Sequence, residues 1–140
     1  MDAIVPVRSD LAETIWPRIQ GFIQKACEVP RYPLFNHLHL LEKIQTMEMQ
    51  LWVAFDGEFQ GVFITEIIIH PLCKECRIVI IGGKDMDAWF TDMMKTVKTW
   101  AKQNRCDYIS GSGRKGWIKI ANRNPHLEFT YESSTVISRS

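Results

Sequence analysis

The chain has 140 residues, enough for one hydrophobic core and short for two. Apolar residues make up 46% and charged residues 24%, the balance of a soluble globular domain and not of a disordered or fibrous chain. Its 17 basic and 16 acidic residues leave a formal charge of +1, which argues against general binding to nucleic acid or a membrane surface, and no apolar run approaches the ~18 residues of a membrane span.

Ile4-Val5-Pro6-Val7 reads as a short strand, confined by Pro6 to an edge or an end of a sheet. Ser9 and Asp10 are N-cap types, and Leu11, Ile15, Ile19, Phe22, Ile23 and Ala26 recur at helical spacing. Pro17 interrupts that pattern. It predicts a turn through Ile15 and then a second helix with Pro17 in its first turn, where a missing N–H is harmless. A loop over 28–33 leads to another helical pattern over 34–46, with Leu38, Leu41 and Ile44 inward. Residues 50–55 are a strand, and Asp56-Gly57 is a hairpin turn signal. Residues 61–70 form a long β-branched strand whose second half reads as buried on both faces. A turn over 71–75 and a third strand over 77–81 complete a meander.

The stretch 77–103 organises the chain. The apolar run Ile78-Val79-Ile80-Ile81 meets Gly82-Gly83, then Lys84-Asp85, then a helix over 87–103. Met86, Phe90, Met93, Val97 and Trp100 share one face of it. A glycine turn feeding a helix N-terminus suits an anion, because the first N–H groups are unpaired and the helix end is positive. The same residues also suit a plain β-to-α connection with a surface lysine. Tyr108-Ile109-Ser110 is a short strand, 111–113 a glycine loop, 114–121 a short helix, and 129–137 a last strand or strand pair. The resulting order, β-α-α-β-β-β-α-β-α-β, is an α/β domain with a mixed, mostly antiparallel sheet and helices on both faces.

His70, Cys73 and Cys76 form H-x-x-C-x-x-C, a spacing that zinc accepts. A closed structural site needs a fourth ligand and no second C-x-x-C exists, so no metal is expected. His37 and His39 lie two apart on a helix and cannot serve one ligand together. Met1-Asp2-Ala3-Ile4 lacks the basic start of a signal peptide, and with four cysteines this predicts reduced thiols in cytoplasm.

Several pieces together resemble the GNAT superfamily of N-acyltransferases, and within it the small GNAT-like proteins of tailed bacteriophages. They are Gln50-Leu51-Trp52-Val53-Ala54 with Asp56-Gly57, Thr65-Glu66-Ile67, Ile81-Gly82-Gly83, Trp89, Trp100-Ala101-Lys102 with Cys106, and Gly113-Arg114-Lys115-Gly116-Trp117. The resemblance covers most of 11–137. It implies one domain over 1–140, with acetyl-coenzyme A lying where the meander and the crossover strand part. The donor would be held by Ile80, Ile81, Gly82, Gly83, Lys84 and Asp85, its pyrophosphate on the N–H groups of 82–87. The chain departs from the family here, with Gly-Gly-Lys-Asp-Met-Asp in place of Arg or Gln and further glycines. Asp85 and Asp87 would face the phosphates, and capping of the helix is the competing reading of these acids. The family's tyrosine acid has no match in the fourth helix, where Asn124 aligns.

The same resemblance makes Glu66 a candidate general base, against a plain strand glutamate on a solvated face or in an ion pair. Tyr131 and Ser110 become candidate proton donors. Arg114, with Lys115 and Lys119 beside Trp117, could meet the adenosine phosphate or a nucleic acid, against a solvated helix face. Two functions follow. One is acetyl transfer from acetyl-coenzyme A to an amine. The other is a non-catalytic phage protein that keeps the fold, acting in the virion or on a phage or host protein partner.

Overall fold

A computed structural model describes residues 3–28, 35–112, 127–130 and 135–139. Seven strands form one sheet in the order β1-β2-β3-β4-β5-β7-β6. They are β1 (Ala3–Val7), β2 (Gln50–Phe55), β3 (Phe59–Ile69), β4 (Lys74–Gly83), β5 (Tyr108–Ser112), β6 (Leu127–Thr130) and β7 (Thr135–Arg139). Helices α1 (Ala12–Cys27) and α2 (His37–Gln45) cover one face, and α3 (Met86–Gln103) covers the other. β2, β3 and β4 are the expected antiparallel meander. α3 crosses over to β5, which runs parallel to β4. A parallel pair needs such a crossover, because no tight turn can return the chain in the same direction.

β1 is the edge strand that Pro6 requires, with Pro6 opposite Trp52. The hairpin between β2 and β3 turns at Gly57, whose φ of 72° is open to glycine at no steric cost. Phe63 stacks on Trp52 at 5.5 Å between ring centroids. Their face meets Trp89, Phe90, Met93, Met94, Val97 and Ala101 of α3, all buried. On the other face Leu51, Val53, Val62, Ile64 and Ile80 meet Trp16, Ile19 and Ile23 of α1 and Leu40 and Ile44 of α2.

Some expectations are corrected. Pro17 does not divide two helices: it sits inside the single helix α1, after a 3-10 turn over Ser9–Leu11. The buried side chains Ala12, Trp16, Ile19 and Ile23 straddle it, and their shared burial outweighs the one hydrogen bond a proline removes. Neither Ser9 nor Asp10 caps that helix; Asp10 pairs with Arg8 at 2.7 Å. α2 starts at His37, where Asn36 accepts from the Leu38 and His39 N–H groups. That start turns Leu40 inward and leaves Leu38 59% exposed. β3 is buried in its first half, Val62 to Thr65, and not its second: Ile69 is 79% exposed. Trp100 is half-buried, edge-on to Trp52 at the rim of the core. The expected helix over 114–121, with Trp117, and position Asn124 lie outside the described residues.

Candidate functional site

The β4–β5 ladder pairs Glu75 with Tyr108, Cys76 with Ile109, Arg77 with Ser110 and Ile78 with Gly111, and there it ends. β4 runs on to Gly83 with only β3 beside it among the described strands. The cause is visible in the β3–β4 register, which shifts between Ile64 and Thr65 and leaves Val79 as an extra residue. Such a bulge bends a strand and sharpens its twist. Bent at Val79, β4 leaves β5 immediately past Ile78. The result is a V with its apex at Ile78 and Gly111, one wall of which is residues 79–83, whose edge away from β3 has no strand partner among the described residues. Backbone N–H and C=O groups on such an edge need partners, and an extended amide-bearing ligand can supply them.

The V leads to the start of α3. The two glycines there are set by packing. A Cβ on Gly82 would lie 2.7 Å from the Phe22 carbonyl oxygen of α1. One on Gly83, with φ at 150°, would lie 2.5 Å from the Gln60 carbonyl oxygen. Lys84 is committed twice: its N–H donates to the Gln60 carbonyl at 2.8 Å and its Nζ lies 2.6 Å from Glu58 Oε1. The hydrogen bond to Glu58 raises the Lys84 pKa and lowers that of Glu58. Both side chains are largely exposed, so the pair contributes little and the ammonium can exchange it for another anion. Asp85 sits at the N-cap in the left-handed region, φ 52°, and its side chain makes no cap hydrogen bond. Capping therefore does not account for Asp85. Trp89, fully buried, ties the loop down by donating from Nε1 to the Lys84 carbonyl at 2.9 Å.

Beyond the apex, where β4 and β5 stay paired, lies a polar cluster, and its centre is a residue that sequence reading placed in a turn. Glu75 belongs to β4 and is only 3% exposed. Its carboxylate accepts from His70 Nε2 at 2.8 Å, Arg77 Nε at 2.9 Å, the Tyr108 hydroxyl at 2.9 Å and the Ser110 hydroxyl. Burial alone would raise its pKa; the bonds from Ser110, His70, Arg77 and Tyr108 outweigh burial and hold it at about 2. Glu75 is thus a fixed anion and a poor base at neutral pH.

Of the sequence candidates, Ile80, Ile81, Gly82 and Gly83 form the wall of the V, and Ser110 adjoins its apex. Lys84 and Asp85 stand at its mouth. Glu66 is half-buried on β3 opposite Arg77, in one cross-strand row with Arg77 and Ser110. Its charge acts on Lys43 of α2. Tyr131 and Arg114 lie outside the described residues. His70 is bonded to Glu75, whereas Cys76 points into the α3 core, its thiol pushed up to about 12 by burial. The H-x-x-C-x-x-C residues therefore do not converge, and no metal-holding cluster occurs among the described residues. His37 accepts from Trp16 Nε1, and His39 accepts from the Asn36 N–H.

No protein-family model matches the chain, and no curated protein sequence matches it significantly. Solved structures do match. A predicted acetyltransferase from Clostridium acetobutylicum, crystallised with acetyl-CoA, aligns over 94% of this chain and 93% of its own, with TM-score 0.68 and 12% identity. An aminoglycoside acetyltransferase from an uncultured soil metagenomic sample, in complex with sisomicin, gives TM-score 0.69 at 9% identity over 92% and 91%. The GNAT domain of S. lividans PAT gives TM-score 0.66 at 12% identity over 98% and 88%. With the V between β4 and β5 and helices on both faces of a mixed sheet, the chain has the GNAT acetyltransferase fold.

Proposed function

We propose that this protein is an N-acyltransferase that takes the acetyl group of acetyl-coenzyme A to an amine. The observation that carries this reading is the early end of the β4–β5 ladder at Ile78, which leaves residues 79–83, leading to the start of α3, as a strand edge with no partner among the described residues. That edge fits the extended, amide-bearing arm of coenzyme A, and Lys84 at the mouth fits its phosphates. Bound there, acetyl-coenzyme A would supply an activated thioester. N–H groups of β4 near the apex would polarise its carbonyl and receive the developing oxyanion. Glu66 would take the proton of the attacking amine. It lies two strands from β5, about 10 Å at ordinary strand spacing, so the proton passes through water. Tyr131 and Arg114 keep the roles that the family resemblance implies, as proton donor and as contact to the adenosine phosphate.

Calorimetric titration with acetyl-coenzyme A tests the reading. The parent protein should bind one equivalent, and Lys84→Ala should weaken binding severalfold. Asp85→Asn should tighten it by up to ~1 kcal/mol by removing a repelling charge, since Asn also tolerates the left-handed backbone. A second reading draws on the crowded mouth, where the Lys84 N–H is already taken and Asp85 adds negative charge. In it the chain is a GNAT-shaped binding module of the tailed-phage type, acting on a phage or host protein. The absence of acetyl-coenzyme A binding in parent and Asp85→Asn alike would leave that reading standing and end the first.

A further inference from the structure

Glu75 is the one described carboxylate that is buried, and five hydrogen bonds from four residues reach it. An ionised carboxylate only accepts, and it offers about four lone-pair positions. All are in use. Every partner must therefore send a proton toward Glu75, including the two hydroxyl groups, Tyr108 and Ser110. A hydroxyl with its proton so committed presents only lone pairs elsewhere. Both lie on β5 on the face they share with Glu75, and Ser110 is one residue from Gly111 at the apex of the V. The apex is where the reacting end of an acyl donor laid along residues 79–83 would arrive.

We infer that Glu75 is a positioning residue that fixes the Ser110 hydroxyl as a hydrogen-bond acceptor beside the apex, so that the group it holds is an N–H donor, the nitrogen of the acceptor amine. This rests on the acyl-coenzyme A reading and adds the feature that selects the incoming group. Arg77 keeps the anion paired, and His70, 37% exposed, closes the cluster toward solvent. Under this arrangement Ser110 does not protonate the departing thiolate, because its proton is held by Glu75.

The test uses two coenzyme A thioethers of equal length, one with a 2-aminoethyl group on sulfur and one with a propyl group. Neither can react, and they differ by one nitrogen at the position the amine would take. The parent protein should prefer the aminoethyl compound about tenfold, the factor expected of one hydrogen bond to an ammonium group. Ser110→Ala and Glu75→Gln should each bring the two affinities to near parity. The readout is the ratio within each protein, which a general loosening of the fold does not move. If Glu75→Gln fails to fold, Ser110→Ala carries the test, since it keeps the Glu75–Arg77 pair. Equal affinities in the parent, or a preference that survives in the variants, overturns this inference alone. Failure of both thioethers to bind overturns the acyl-coenzyme A reading and this inference with it.

Discussion

Replacing Gly61 with Ala puts a methyl group into space that other atoms already hold. The new Cβ would lie 2.4 Å from Trp89 Cζ2 and 2.7 Å from the Gly82 carbonyl oxygen. Neither can step aside easily. Trp89 is fully buried and tethered through Nε1 to the Lys84 carbonyl, and the Gly82 oxygen belongs to the backbone of β4. Overpacking of this kind costs about 1–3 kcal/mol, against a gain of up to ~1 kcal/mol from stiffening the unfolded chain. The net loss expected is about 1–2 kcal/mol, which should lower the urea midpoint by roughly 1 M with an unchanged slope. The same displacement pushes on the start of α3, so acetyl-coenzyme A affinity should fall even where the variant is fully folded. Shortening the indole, in Gly61→Ala with Trp89→Phe, should make the added methyl cheaper than it is in the parent. A midpoint equal to or above the parent's in Gly61→Ala would refute the packing argument.

Other outcomes follow from the same contacts. The Glu75 carboxyl is held at about 2 against an ordinary 4.5, so its stabilisation is complete above about pH 4.5 and is lost as pH falls towards 2. Acid titration of the unfolding free energy should show a loss of order 1–3 kcal/mol in that window, absent in Glu75→Gln. Trp100→Ala should cost about 1–3 kcal/mol in denaturant unfolding, below the ~3–5 kcal/mol of a fully buried tryptophan, because Trp100 is only half-buried. Native protein treated with iodoacetamide at mildly alkaline pH should be alkylated at the part-exposed Cys73 well before Cys76, whose thiol is buried and pushed up to about 12; mass spectrometry of the labelled peptides checks this.

The meander and the crossover were legible because their signals are local, whereas the V was expected from the family resemblance alone. Asp56-Gly57 marks the hairpin, β-branched runs mark β3 and β4, and the period of Phe90, Met93 and Val97 marks α3. The bulge at Val79, which opens the V, has no such signal: it exists only as a register between two strands. Glu75 was missed because the Pro71 turn was read two residues too long. The turn closes with the His70 N–H on the Cys73 carbonyl, so β4 begins at Lys74. The alternation Glu75, Cys76, Arg77, Ile78 was the available clue, polar to one face and apolar to the other. Pro17 misled for the opposite reason. A local rule pointed to a break, and the packing of α1 against β3 and β4 overrode it. Gly82 and Gly83 read as places for a ligand to approach, whereas the nearest neighbours they admit are α1 and β3 themselves.

The most direct test is to follow backbone amide chemical shifts by NMR as acetyl-coenzyme A is added to the native chain. The account predicts saturable shifts concentrated on residues 79–83 of β4, on Lys84 and Asp85, and on Gly111 at the apex. Shifts confined to the shallow groove between β1 and α3, at Trp52, Thr96 and Trp100, or no shifts at millimolar ligand, would contradict it.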